Sequence, residues 1–335
     1  MAENILTVEN LTVSFRKKEK KKTEKNQYVT AVDNVSLSVV RKEIFGIVGE
    51  SGCGKTTFSR SVVGLIPNSK GQVILDGIDI IDKKNQKNSN FTDKIQMIFQ
   101  NPLASFNPRY TIRKSINEVG KVHGISKEEV KTKLDNLLQY TGLADPLLDH
   151  YPNQLSGGQL QRFAICRALI VDPEVLVADE AVSALDISIQ AHILNLLLYL
   201  RDKLGITIVF ISHDLNVVEH ICDSVAVMYL GNIVEVGDKI ELFHNTKHPY
   251  TKLLIHSKTK ENPEEIRDEK YVFEDVPNIF EVPEGCKFST RCPNFVSGIC
   301  DASQPELKKV GQNHYAACHF AIEEPGDHGI YMENI

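Results

Sequence analysis

The chain has 335 residues, 42% of them hydrophobic and 24% charged, which suits one large soluble domain or two modest ones and requires no disulfide framework to hold a core. Its formal net charge of -6 argues against a dedicated nucleic-acid binder, whose binding face is basic. No run of about 20 apolar residues is present to span a bilayer, and the start MAENILTVEN lacks the basic and apolar regions of a signal peptide. The chain is therefore expected in the cytoplasm, with its seven Cys as thiols or metal ligands rather than disulfides.

Two strand-like segments open the chain, at 5–15 and at 29–40, the second alternating apolar and polar residues. Between them, residues 16–25 (RKKEKKKTEK) read as a solvated loop too polar to pack; contact with anionic lipid headgroups is the sharper reading. Residues 44–48 (IFGIV) form the continuous apolar run of a buried parallel strand. A Gly-rich turn follows, then a helix over 55–65 that ends before Pro67. A strand at 95–99 leads into the loop FQNPLASFNPR. Ser126 and Glu129 form a capping box for a helix reaching about Tyr140. Residues 175–178 form a buried strand, 187–204 an amphipathic helix stopped by Gly205, and 206–211 (ITIVFI) another buried strand. Strands alternating with helices predict an α/β fold, a mainly parallel sheet covered on both faces. There is no internal repeat. Near residue 257 the composition turns polar (KTKENPEEIRDEK) and then rich in Pro and Cys, which marks a boundary.

Three motifs carry chemistry. The first runs from Gly49 through Ser51, Gly52 and Gly54 to Lys55 and Thr56 (GESGCGKT), a G-x-x-x-x-G-K-T loop between a strand and a helix. Its glycines let backbone N–H groups face phosphate oxygens, and the helix N-terminus adds positive potential. Lys55 is expected to reach the β- and γ-phosphates, and the Thr56 hydroxyl to hold Mg²⁺. The second motif is an apolar strand ending in Asp179 and Glu180. It delivers two acids to the sheet edge where such folds bind ligands: Asp179 for Mg²⁺, directly or through water, and Glu180 as the general base for water. The third is Leu155-Ser156-Gly157-Gly158-Gln159, a second exposed glycine turn at a helix start and so a second anion-binding element.

In that order and spacing, the motifs resemble the ABC family of ATP-binding cassettes, whose LSGGQ signature matches 155–159. The resemblance implies the ABC fold: a phosphate-loop NTPase core, an antiparallel β subdomain and a helical subdomain at about 101–170. It implies head-to-tail dimers, each ATP lying between one subunit's phosphate loop, with Thr57 among its contacts, and the other's Ser156, Gly157, Gly158 and Gln159. Gln100 resembles the Q-loop glutamine that contacts Mg²⁺ and water. Asp186, in SALD, resembles the D-loop. His213, in ISHD, resembles the switch histidine at the γ-phosphate. Phe15, in NLTVSF, resembles the aromatic that stacks on adenine; a core aromatic at a strand end is the other reading. One departure is Ala181, where the family usually has Pro after the catalytic Glu; no catalytic group is lost.

The segments FQNPLASFNPR, AVSALDISIQ, VMYLGNIVE and HPYTKLL narrow the resemblance to the ATPase subunits of bacterial oligopeptide, dipeptide and nickel importers, and NPR and VSALD with YLG to the second, F-type ATPase of such systems. This implies an ATPase that works with a sister ATPase in a heterodimer, two membrane permease subunits and an extracellular solute-binding protein, on the cytoplasmic face of the membrane. It leaves the transported solute open, among peptides, nickel chelates and related molecules. A non-transport ABC ATPase normally carries two cassettes or a long coiled coil, neither found here. A module that binds ATP without hydrolysis would not need Glu180 and His213.

The expected organisation is a nucleotide-binding domain over 1–257 and a linker with a small Cys-rich lobe over 258–335. In that lobe Cys286, Cys292, Cys300 and Cys318 follow the spacing C-x5-C-x7-C-x17-C. Four clustered Cys suggest a thiolate site for zinc or an iron–sulfur cluster, although the spacing fits neither a standard zinc finger nor a ferredoxin run. Reduced thiols packing a small lobe are the plain alternative. The importer resemblance implies a [4Fe–4S] cluster. Cys53, Cys166 and Cys222 read as small core or loop residues.

Overall fold

A computed structural model describes residues 3–16, 28–66, 70–82, 90–258 and 282–321. The Lys-rich run from 17 to 25 and the polar stretch from 259 to 270 lie outside the described residues.

The chain opens with two long strands, β1 (Asn4–Arg16) and β2 (Tyr28–Val40). The buried strand β3 (Ile44–Val48) leads into the helix α1 (Lys55–Val62). Strands β4 (Lys70–Leu75) and β5 (Ile78–Asp79) follow, then the short helix α2 (Phe91–Lys94) and strand β6 (Ile95–Ile98). A helical section comprises α3 (Ile112–Val122), α4 (Lys127–Thr141) and α5 (Gly157–Leu169). The core resumes with β7 (Val175–Asp179), α6 (Ile187–Leu204), β8 (Thr207–Ser212), α7 (Leu215–Ile221), β9 (Ser224–Tyr229) and β10 (Asn232–Asp238). Helices α8 (Lys239–His244) and α9 (Pro249–Lys258) and the hairpin β11 (Lys308–Gly311) and β12 (His314–Ala316) complete it.

These strands make two sheets. A four-stranded antiparallel sheet has the order β2-β1-β4-β5; an eight-stranded sheet has the order β11-β12-β10-β9-β3-β8-β7-β6. In the larger sheet β9, β3, β8, β7 and β6 are parallel, and β10 and the last hairpin are antiparallel. All five residues of β3 are buried, because successive side chains enter different cores. Ile44 and Val48 join the helices; Phe45 and Ile47 join α1 and the smaller sheet. Strands β7 and β8 alternate likewise, with Leu176 and Ile208 on one side and Val177 and Val209 on the other. Burial on both faces explains why these strands read as unbroken apolar runs.

Ser126 caps α4, its hydroxyl accepting from the Glu129 amide, and Gly205 ends α6 at φ 67; a glycine meets that left-handed conformation without a Cβ clash. Helix α6 buries Ile193, Leu196, Leu197 and Leu200, the three-and-four spacing of one helix face. Composition and periodicity did not expose β9, β10 or the hairpin β11–β12. The hairpin extends the main sheet across the polar stretch, so the last lobe continues the sheet of the core.

Glu235, on β10 and fully buried, anchors this junction. Its carboxylate accepts from the Lys247 amide at 2.7 Å and the His248 amide at 3.0 Å, and meets His314 Nε2 of β12 at 2.8 Å. His248 is itself buried, and its Nδ1 accepts from the Tyr250 amide at 3.0 Å. Burial pushes the His248 imidazole down to about 4. In the unfolded chain it takes a proton near 6.5; in the folded one it does not. Its contribution is therefore complete above about pH 6.5 and falls away between 6.5 and 4, by at most about 1.4 kcal/mol per pH unit. Urea unfolding at pH 7 and pH 5 should show that slope in the wild type and a shallower one in His248→Gln; equal slopes would dismiss the assignment.

Candidate active site

The parallel strands β3, β8, β7 and β6 end on one edge, so the segments after them meet there. The loop 49–54 follows β3 and turns directly into α1. Gly54 occupies φ 111, and a Cβ there would stand 2.2 Å from the Ala31 carbonyl oxygen, so no other residue fits. Gly54 gives α1 no side-chain cap, which leaves the first N–H groups of the helix for an anion. Lys55 is 4% exposed. Its ammonium donates to the Gly49 carbonyl at 2.7 Å and the Glu50 carbonyl at 2.9 Å, which holds it over the loop. Gly52 and Ser51 are exposed at the crest, and Thr56 and Thr57 half-buried at the helix start.

Asp179, at the end of β7 and 2% exposed, accepts from the Thr56 hydroxyl at 3.3 Å. Burial raises its carboxyl above the ordinary range, the Thr56 bond opposes that, and the neighbouring Glu180 charge adds to it. The Ser59 hydroxyl and the Arg60 charge also oppose that rise; a buried acid next to a threonine hydroxyl suits a divalent cation. Glu180 adopts φ 48, a conformation that costs a side-chain-bearing residue about 1–3 kcal/mol; its N–H donates to Ile211 of β8 at 3.0 Å. That turn aims its carboxylate across the strand ends. Gln100, just after β6, donates Nε2 to one Glu180 oxygen at 2.8 Å. His213, just after β8, brings Nδ1 to 3.4 Å from the other. Gln100, Asp179, Glu180, His213, Lys55 and Thr56 thus share one sheet edge.

The signature lies apart. Ser156 caps α5: its hydroxyl accepts from the Gln159 amide at 3.3 Å, and the Gln159 side chain accepts from the Ser156 amide at 3.0 Å. Ser156 and Gly157 are exposed. Gly158 lets α5 approach α6, since a Cβ there would lie 2.6 Å from the Ile189 side chain. Asp186 begins α6 without a side-chain cap bond. Among the described residues no hydrogen bond or ion pair joins 155–159 to 49–57. Phe15, next to last in β1, lies opposite Val29 and is 46% exposed, outside the core.

The expectation of a metal centre in the last lobe is corrected. Cys286, Cys292, Cys300 and Cys318 do line one hollow, together with Phe288, Pro249 and His319, but its volume is about 10 Å³, room for roughly one water. Among the described residues no group of three or more His, Cys, Asp or Glu is placed to hold a metal ion. Burial pushes the Cys286 and Cys318 thiols up and Cys292 up to about 11. The four Cys pack the lobe, with the Cys286 amide donating to the Cys300 carbonyl at 2.7 Å; the iron–sulfur and zinc readings are withdrawn.

Residue types alone also passed over Glu50. Its carboxylate pairs with both terminal nitrogens of Arg291, at 2.8 and 3.0 Å. The partners are 241 positions apart, and no spacing signal links them.

Residues 32–183 match the ABC transporter family and residues 234–300 the oligopeptide/dipeptide transporter C-terminal region. The chain is 41% identical over 322 residues to the oligopeptide transport ATP-binding protein OppF of Haemophilus influenzae, covering 94% of this chain and 97% of that one. It is 43% identical to the oligopeptide transport ATP-binding protein AppF of Bacillus subtilis, covering 87% and 89%. Among solved structures it is similar to the ATP-binding cassette MJ0796, captured as a dimer in a post-hydrolysis state with ADP and Pi: TM-score 0.61, 28% identity, 70% of this chain and 98% of that one. It is also similar to cbiO1 of Clostridium perfringens, part of an ABC transporter complex, with TM-score 0.61, 27% identity, and 72% and 92% covered.

The raised Asp179 carboxyl makes the buried charge a burden on the ligand-free fold. Asp179→Asn keeps the acceptor for Thr56 and removes that charge. The melting temperature without ligand should stay level or rise by a few degrees, while the extra stabilisation by Mg²⁺ with ATP disappears. A variant that loses stability without ligand, or keeps the Mg²⁺-dependent rise, would contradict this account of Asp179.

Proposed function

The chain belongs to the ABC transporter family, among the ATP-binding proteins of oligopeptide and dipeptide transporters, and from that membership we propose that its ATP hydrolysis powers uptake of peptides or a related small solute through a membrane permease. The observation that carries this reading is the meeting of Gln100 and His213 on Glu180, next to the Thr56–Asp179 pair and Lys55.

In this reading the phosphate chain of ATP lies on the loop 49–54 and on the first N–H groups of α1, with Gly49, Ser51, Gly52 and Gly54 shaping the cradle. Lys55 leaves the Gly49 and Glu50 carbonyls for the β- and γ-phosphates, and Phe15 stacks on the adenine. Thr56, Gln100 and Asp179 would hold Mg²⁺, which when bound neutralises phosphate charge. Glu180 takes the proton of the attacking water, Gln100 and His213 orient the carboxylate and the γ-phosphate, and Thr57 adds a contact at the helix start. The exposed Ser156 and Gly157 and the half-buried Gln159, with Gly158 behind them, serve a nucleotide held by another cassette. In this two-chain site Asp186 crosses to the opposite nucleotide. We take the partner as a sister ATPase, the pair docking on two permease subunits fed by an extracellular solute-binding protein. Among the described residues no helix is long and apolar enough to cross a membrane, so attachment at the cytoplasmic face runs through the permease. The proposed division has residues 1–257 as the nucleotide-binding domain, with a helical subdomain at about 101–170, and 258–335 as linker and Cys-rich region.

Most of the rate comes from positioning and charge stabilisation. Removing the base should still be severe. In the complex with the sister ATPase and permease, Glu180→Gln should bind MgATP but lose about 10²- to 10⁴-fold in turnover. Turnover near that of the wild type would remove Glu180 from its role.

A further inference from the structure

Glu50 is the second residue of the phosphate loop, and each of its polar groups is committed. Its carbonyl accepts the Lys55 ammonium at 2.9 Å. Its amide donates to the hydroxyl of Tyr250, a fully buried residue of α9, at 3.0 Å. Its carboxylate takes the two-pronged grip of Arg291, in the Cys-rich lobe. The Arg291 side chain is 3% exposed and that of Glu50 24%. The guanidinium also lies over the rings of Tyr229 and Phe288, 5.8 Å from each centroid. A bidentate arginine fixes both distance and plane, and when buried it leaves a costly unpaired charge if its partner goes. The entry to the phosphate loop is therefore held from behind by segments beyond residue 249. The same lobe is anchored independently, by Lys287, whose ammonium donates to Asp33 at 2.9 Å and to the Leu230 carbonyl at 3.0 Å, and by the β10–β12 pairing.

We propose that Arg291 is a positioning residue for nucleotide: by holding Glu50 it sets the loop's path and the resting place of the Lys55 ammonium, so that ATP affinity depends on the docked C-terminal lobe. This rests on the reading of 49–56 as the ATP site. Arg291 does not touch the nucleotide; it acts through Glu50. Shifting a loop by a fraction of an ångström misdirects several N–H groups at once, which is how a contact outside a site changes its affinity.

The test is MgATP binding to the full chain by titration calorimetry, together with kcat and KM in the assembled complex. Arg291→Gln and Glu50→Gln should each weaken MgATP about tenfold, within the range of coupled sites, and Arg291→Gln should raise KM while kcat stays within about twofold. The double variant should bind no more weakly than the weaker single one, since both remove the same link. Arg291→Lys, which keeps the charge but loses the fork, should recover part of the affinity. If Arg291→Gln does not fold, Glu50→Gln and the Lys variant carry the same measurement. Wild-type affinity in the single variants, with only a lower melting temperature, would overturn the proposal, as would losses that simply multiply in the double variant. Lys55→Ala separates this from the underlying reading: if it loses MgATP while Arg291→Gln keeps it, the site stands and the positioning role falls. If Lys55→Ala binds like the wild type, both fall.

Discussion

Everything at the site hangs on the burial of β3 on both faces. A strand held between two cores cannot slide or tilt without exposing apolar side chains on one side or the other. Its end therefore delivers the loop 49–54 to a fixed place. The neighbouring strands β8, β7 and β6 are locked to it in parallel register, from the Ile44–Ile208 pair through Val175–Thr207 to Ile95–Val175. The four segments that follow thus have no freedom about which edge they occupy. Residues 49, 100, 180 and 213 come to one place because the sheet brings their strand ends together.

On that rigid frame the polar groups stand in a poised arrangement. Lys55 rests on backbone carbonyls, Asp179 is buried at the foot of α1, and Glu180 carries an unfavourable backbone conformation. None of these is what stability alone would select. The apolar cores on either side supply the surplus that keeps them in place, while the Arg41 guanidinium, bonded to Glu174 at 2.7 Å and also paired with Asp76, ties the smaller sheet to the larger one.

The phosphate loop, the Asp179–Glu180 pair and the signature were legible because each depends on local constraints: a glycine where a Cβ collides, a cap three residues before its partner, an apolar run before an acid. The strands at 44–48 and 175–178 were legible as unbroken apolar runs, since both their faces are buried, and the helix 187–204 through the period of its one buried face. What stayed hidden is non-local. Strands β9 and β10 meet through the two-residue turn at Leu230 and Gly231, where Leu230 takes φ 41, and no turn signal predicts a leucine there. The Glu50–Arg291 and Glu235–His314 pairs join distant segments. The four Cys misled in the opposite direction. Their clustering in sequence is real, and they do gather in space, but thiols also gather because they are small and apolar enough to fill a lobe with little core of its own.

The place of β12 has a consequence for the integrity of the sheet. Without it, β10 would present a row of unpaired backbone groups and a buried carboxylate with no histidine against it. Such an edge invites pairing with any other extended chain. With the hairpin in place, the outermost strand is β11, four residues long and opening with Lys308 and Lys309, both exposed. A short strand carrying two like charges repels a second copy of itself. The Cys-rich lobe therefore also keeps the molecule from aggregating through its own sheet, and a chain cut near residue 257 would be at risk in the test tube before its catalysis was ever measured.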